Sequence, residues 1–130
     1  MTISVPGNVP YVITVGALTD SNTPYDATDD RLASFSSAGP TYEGFVKPEM
    51  VAPGGHVAAS MSASSYLANK DSRSMDIGRK LFTMSGTSQA AAVTSGVVAL
   101  MLQADPTSTP DTVKCRLLAS TRAAVTSEGK

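Results

Sequence analysis

Ser88 is the residue best placed to do chemistry. It follows Ser85-Gly86-Thr87 and opens a run, Ser88 to Gln103, in which Ala, Val, Leu and Met cover nearly every helical face. That pattern predicts a long helix buried all round rather than along one stripe. A hydroxyl at the start of such a helix sits where free N–H groups and the macrodipole favour negative charge. An alkoxide and a tetrahedral oxyanion both require that. The chemistry would be nucleophilic attack on a carbonyl, which also needs a base and a group to orient the base. The plainer reading is that Ser88 merely caps the helix, because serine is a preferred cap.

The other reactive residue types are sparse. His56 is the single histidine and Cys115 the single cysteine, so neither an intrachain disulfide nor a structural zinc site can form. Cys115 reads as a small core residue of a second helix, and His56 as an exposed loop residue. A His56–Ser88 pair would need hydrogen-bond contact between the two. Asp20, Asp26, Asp29 and Asp30 crowd a loop of oxygen donors that calcium favours, but their spacing is not that of an EF-hand, and a solvated turn is the better reading. Asn8, in Pro-Gly-Asn, reads as a turn residue.

Elements must hold these residues in place. Tyr11 to Ala17 is β-branched and bounded by Pro and Gly, which predicts a short buried strand. Leu32 to Ser37 reads as a short extended piece stopped by Ala38-Gly39-Pro40, and Val51 to Gly55 as a strand end running into a turn. His56 to Met61 and Leu81 to Met84 predict a hairpin with a long polar tip. Gly96 inside the long helix costs about 1 kcal/mol relative to alanine, which predicts a compensating close backbone contact. Asp105-Pro106 ends that helix. A second helix starts with Thr109 as cap and Pro110 in its first turn, with Val113, Leu117 and Leu118 as its apolar stripe. The tail 121–130 reads as loose.

The chain has 130 residues, 42% of them apolar and 16% charged, which is globular rather than disordered. A net charge of -1 and scarce aromatics argue against nucleic acid as a partner. The longest apolar stretch, Val97 to Leu102, is too short to span a bilayer. The first residues lack the basic and apolar regions of a signal peptide.

Four blocks come in compatible order and spacing: VITVGA at 12–17, ASFSSAGP at 33–40, KPEMVAPG at 47–54 and SGTSQAAAVTSGVVALML at 85–102. Together they resemble the C-terminal part of a subtilisin-like serine protease domain. The likeness runs to about Ser120, with a variable patch between His56 and Thr83. Where the family motif usually carries proline, this chain has Ala92, a good helix former.

The resemblance implies an α/β fold: a single partial domain over 1–130, part of a doubly wound parallel sheet with a long buried central helix. It implies that Ser88 is the nucleophile and its backbone N–H an oxyanion donor, with Gly86 and Thr87 as the supporting turn. No cofactor is required. A weak structural calcium or sodium would be held by the carbonyls of Gly7, Val9 and Val12. The substrate would be a peptide or protein, and the parent protein secreted.

The family's aspartate and histidine motifs, and its second oxyanion donor, lie upstream of the VITVGA strand, and nothing here matches them. His56 follows the VAPG turn instead of standing in a His-Gly-Thr motif. The chain alone is therefore expected to be a weak or inactive endopeptidase. The alternatives are a rearranged site using His56 or another copy, and a non-catalytic interaction module or split half. Half a parallel sheet leaves an open edge and an uncovered helix, so self-association or pairing with an N-terminal subtilase half is expected.

Overall fold

The computed structural model describes residues 3–21, 23, 25–76, 78 and 80–126. It is a mixed α/β structure. The described strands are β1 (Val15–Thr19), β2 (Arg31–Leu32), β3 (Met50–Pro53), β4 (Val57–Ser60) and β5 (Leu81–Met84). The helices are α1 (Tyr66–Lys70), α2 (Thr87–Ala104) and α3 (Pro110–Ala119), with a short 3-10 turn at Ser72–Ser74.

β1 lies between β2 and β3. Its pairing with β3 is parallel, Val15 opposite Met50 through Leu18 opposite Pro53, and its short pairing with β2 is antiparallel. β1 begins later than the predicted Tyr11–Ala17 strand. The Val12 carbonyl accepts from two lysine ammoniums, and the Thr14 amide donates to the Glu49 carboxylate at 2.9 Å, so these groups are spent before the β1–β3 register starts. The piece expected at Leu32–Ser37 is a strand only at Arg31–Leu32. Beyond it, Ser36 Oγ accepts from the Ala17 amide at 3.0 Å, a side chain standing where a strand would.

The predicted hairpin is present: β4 and β5 pair antiparallel, Val57 opposite Met84 and Ser60 opposite Leu81. Its polar tip carries α1, capped by the Ser65 hydroxyl accepting from the Ala68 amide. α3 starts as its sequence predicts: the Thr109 hydroxyl accepts from the Thr112 amide, and Pro110 opens the first turn. Val113 and Leu117 are buried, whereas Cys115, read as a core residue, is exposed on the opposite face. The tail residues 121–126 have no regular element, yet the Leu32 amide donates to the Val125 carbonyl at 2.9 Å and Arg122 reaches Asp30 and the Ala27 carbonyl. The rest of that tail lies outside the described residues.

α2 packs on β1 and β3 through small side chains. Ala17, Ala33, Ala52 and Ala90 form one buried cluster with Val15 against it. Small residues let the helix lie close to the sheet, which is why Gly54 matters. A Cβ there would sit 2.7 Å from both the Ala17 Cβ and the Gly86 carbonyl oxygen.

Two expectations for α2 are overturned. The helix is not buried all round: Ala90 and Thr94 are its buried residues, while Val97 and Leu102 are exposed and Leu100 keeps 66% of its surface in contact with solvent. An apolar composition reports how much burial a helix could use, but one layer of sheet covers only one of its faces. Gly96 also makes no close contact, since a Cβ added there would meet nothing within 4 Å.

Candidate functional site

The chain reaches Ser88 along a fixed path. β3 ends at Pro53, and the Gly54 amide donates to the Leu18 carbonyl at 2.9 Å, continuing the parallel ladder by one step. The Gly54 carbonyl then accepts from the Gly86 amide at 2.8 Å. One glycine thus joins the sheet's end to the helix's beginning. Gly86 is the N-cap residue in extended backbone, φ 163°, which any residue can adopt. Its contributions are this amide and the lack of a side chain beside Ser88. Its carbonyl accepts from the amides of Gln89 and Ala90.

Thr87 and Ser88 occupy the first helical positions, and among the described residues neither amide has an acceptor. The Ser88 side chain is exposed, and among the described residues its hydroxyl has no partner. It does not cap the helix, since the cap is Gly86 and no side chain caps this end. A free hydroxyl and a free N–H thus stand together at the positive end of an 18-residue helix. That arrangement can present a nucleophile and donate one hydrogen bond to an oxyanion.

The other candidates stand apart from it. His56 is exposed, with a left-handed φ of 55°. Its amide donates to Ser85 Oγ at 2.9 Å. It lines an open hollow of about 520 Å³ with Arg73, Asp76, Leu81 and Ser85, and Ser88 does not line that hollow. No hydrogen bond joins His56 to Ser88 among the described residues, so the improvised pair is not formed. Asn8 is a turn residue: its amide donates to the Ser4 carbonyl and its side chain donates to Glu43 at 3.3 Å.

Three carboxylates of the acidic loop are engaged within the chain. Asp26 accepts from the Thr28 hydroxyl and amide, which lowers its pKa. Asp29 accepts from Thr23, and Asp30 pairs with Arg122. At the other end of α2, the Asp105 carboxyl is held far below the usual range by the Thr107 hydroxyl, Arg116 and the Ser108 hydroxyl, which fixes the α2–α3 corner.

The carbonyls of Gly7, Val9 and Val12 are engaged within the chain. Gly7 accepts from the Thr14 hydroxyl at 2.6 Å and Val9 from the Val12 amide at 3.4 Å. Val12 accepts from the ammoniums of Lys47 and Lys114, at 3.0 and 2.9 Å. Both lysines also reach Glu49 Oε1 at 2.6 Å. Burial pushes the Glu49 carboxyl up, but hydrogen bonds from Lys114, Lys47 and the Thr14 amide together outweigh it and hold the group below its ordinary value. The Lys47 side chain is 2% exposed. Sequence reasoning missed this cluster. KPE at 47–49 places two of its members side by side, but no local pattern points to Lys114, 102 positions from Val12.

Comparison with known proteins bears on the same residues. The family model of the Subtilase family matches residues 1–129. The serine protease AprX of Bacillus subtilis (strain 168) is 49% identical over 113 residues, which is 87% of this chain and 25% of that protein. An uncharacterised protein of Aquifex aeolicus is 39% identical over 87% of this chain and 51% of its own length. Pyrolysin of Pyrococcus furiosus is 43% identical over 58% of this chain and 4% of its own. The chain thus spans between a quarter and half of the length of the first two. With the Gly-Thr-Ser turn at the head of α2, built on a parallel strand pair, inside a match from residue 1 to residue 129, the chain belongs to the subtilase family.

Proposed function

We propose that residues 1–130 carry the nucleophile of a serine-type endopeptidase. Ser88 Oγ attacks a peptide carbonyl, a base takes its proton, and the tetrahedral oxyanion is met by the Ser88 amide. The C–N bond then breaks, the proton passes to the leaving amine, and an acyl-enzyme on Ser88 is left for water to hydrolyse. The observation that carries this reading is the exposed, unpartnered Ser88 hydroxyl beside its own free amide at the N-terminus of α2. Gly86 and Thr87 are the turn that presents it.

In this reading the base, its acidic partner and the second oxyanion donor belong to polypeptide outside residues 1–130. The full domain is a doubly wound parallel sheet in which α2 is central and covered. The substrate is a peptide or protein segment, and the parent protein is exported.

The test is complementation. The chain alone should cleave a fluorogenic peptide very slowly, because loss of triad members leaves only about 10³–10⁴-fold catalysis over water from binding and the oxyanion hole. Adding a polypeptide that carries subtilase aspartate and histidine motifs should raise turnover by a factor of about 10³ or more and allow a fluorophosphonate to label the chain. Both gains should vanish in Ser88→Ala. Labelling that persists in Ser88→Ala would remove Ser88 from the reaction.

A second reading, a non-catalytic interaction module, is favoured by the bare outer face of α2 with Leu100 and Leu102. It predicts self-association of the chain alone. A strictly monomeric elution at high concentration would count against it.

A further inference from the structure

We infer that Lys47 and Lys114 take the place of a bound metal in the loop before β1, so that this chain holds the loop through its own ammonium groups. The oxygens around Lys114 Nζ form a complete set. Pro10 O lies at 2.7 Å, Val12 O at 2.9 Å and Glu49 Oε1 at 2.6 Å. An ammonium has three protons to donate, and here it meets three acceptors from two separate segments of chain. Lys47 Nζ meets the same two oxygens, Val12 O and Glu49 Oε1, at 3.0 and 2.6 Å.

These residues do not fit a metal as they stand. A hard cation such as calcium would need the oxygens to turn inward at about 2.3–2.6 Å. The Gly7 carbonyl is committed to Thr14 and the Val9 carbonyl to the Val12 amide. Val12 O already faces two positive groups, and the single carboxylate there, Glu49, is shared between them. Two cations against one anion leave the cluster with an excess positive charge, and a metal ion would add to it in a partly buried place where screening is weak. An ammonium supplies the charge a cation would supply, and it is tethered. Because Lys114 comes from α3, it also ties the C-terminal helix to the N-terminal loop and to the residues leading into β3.

The test is a thermal melt of the purified chain, followed by circular dichroism after chelation. It is run in choline chloride and then, at matched ionic strength, in sodium, potassium or calcium chloride. The wild-type midpoint should be the same in all four within about 1 °C. The paired substitution Lys47→Met with Lys114→Met keeps the apolar stems and removes both charges, whereas either change alone leaves an ammonium on Val12 O and Glu49 Oε1. The midpoint of this double variant should fall in choline and recover saturably in at least one of the metal salts. Direct calcium titration of the wild type by calorimetry decides the matter if the double variant does not fold, and no stoichiometric binding is expected. A saturable rise of the wild-type midpoint, or one calcium bound per wild-type chain, would overturn the inference. So would a folded double variant with no response to any cation.

Discussion

The two faces of α2 are both largely apolar, yet their circumstances are opposite. Toward the sheet, Ala90 and Thr94 are buried, and backbone approaches so closely that Gly54 has no room for a methyl group. Away from it, Leu100 and Leu102 are exposed and the space over Gly96 is open. Apolarity alone therefore does not say which residues hold this helix. Small residues fitted against β1 and β3 do, and the larger apolar side chains outside stay exposed.

The largest effect expected from breaking this arrangement lies away from both faces, at the charged cluster that secures α3. Glu49→Gln leaves two ammoniums without their carboxylate and should destabilise the chain by about 2–3 kcal/mol at neutral pH, a little under the cost of breaking a fully buried pair. The pH dependence has a definite sign. Glu49 has a folded pKa below its ordinary 4.5, so its contribution is present above that value and is lost as pH falls through the folded pKa. Denaturant melts from pH 7 down to pH 3 should show an acid limb in the wild type and a shallower one in Glu49→Gln. Equal limbs would mean that the cluster is not a determinant of stability.

Next comes the inner face. Gly54→Ala places a Cβ 2.7 Å from the Ala17 Cβ and from the Gly86 carbonyl, so backbone has to move. We expect a loss of about 2 kcal/mol, in the range for overpacking, together with weaker fluorophosphonate labelling of Ser88 in the complemented enzyme.

The outer face gives the smallest effect, with the opposite sign. Gly96→Ala meets nothing and should stabilise the isolated chain by about 1 kcal/mol through helix propensity. If complementation lays an element against Gly96, the same change should lose that gain in the complemented domain. Equal stabilisation with and without the partner would mean that nothing approaches this position closely.

What the sequence made legible follows from how local the signals are. The N-cap at Thr109, the Asp105-Pro106 stop, the β4–β5 hairpin and the start of α2 within one residue of Ser88 all rest on neighbours a few positions apart. The Gly-Thr-Ser turn at the head of α2 was legible for the same reason. The Lys114–Glu49–Val12 contacts were not, because they join segments that only the folded chain brings together. The exposure of Cys115 was missed because the usual burial of a thiol outweighed its place, two positions from both Val113 and Leu117 and so off their stripe. Gly96 was misread because the cost of a glycine was taken as evidence of a contact, and the contact is absent.

The 31 residues between Gly54 and Gly86 leave and return at one point, since the carbonyl of the first accepts from the amide of the second and the His56 amide donates to Ser85 beside it. Whatever is added or removed near the far end of that excursion, in the region of α1, stays outside the path that sets Ser88. Loop closure grows only slowly more costly with length. This stretch can therefore act as a splice point, where a reporter or recognition module could be grafted while the Ser88 hydroxyl keeps its place.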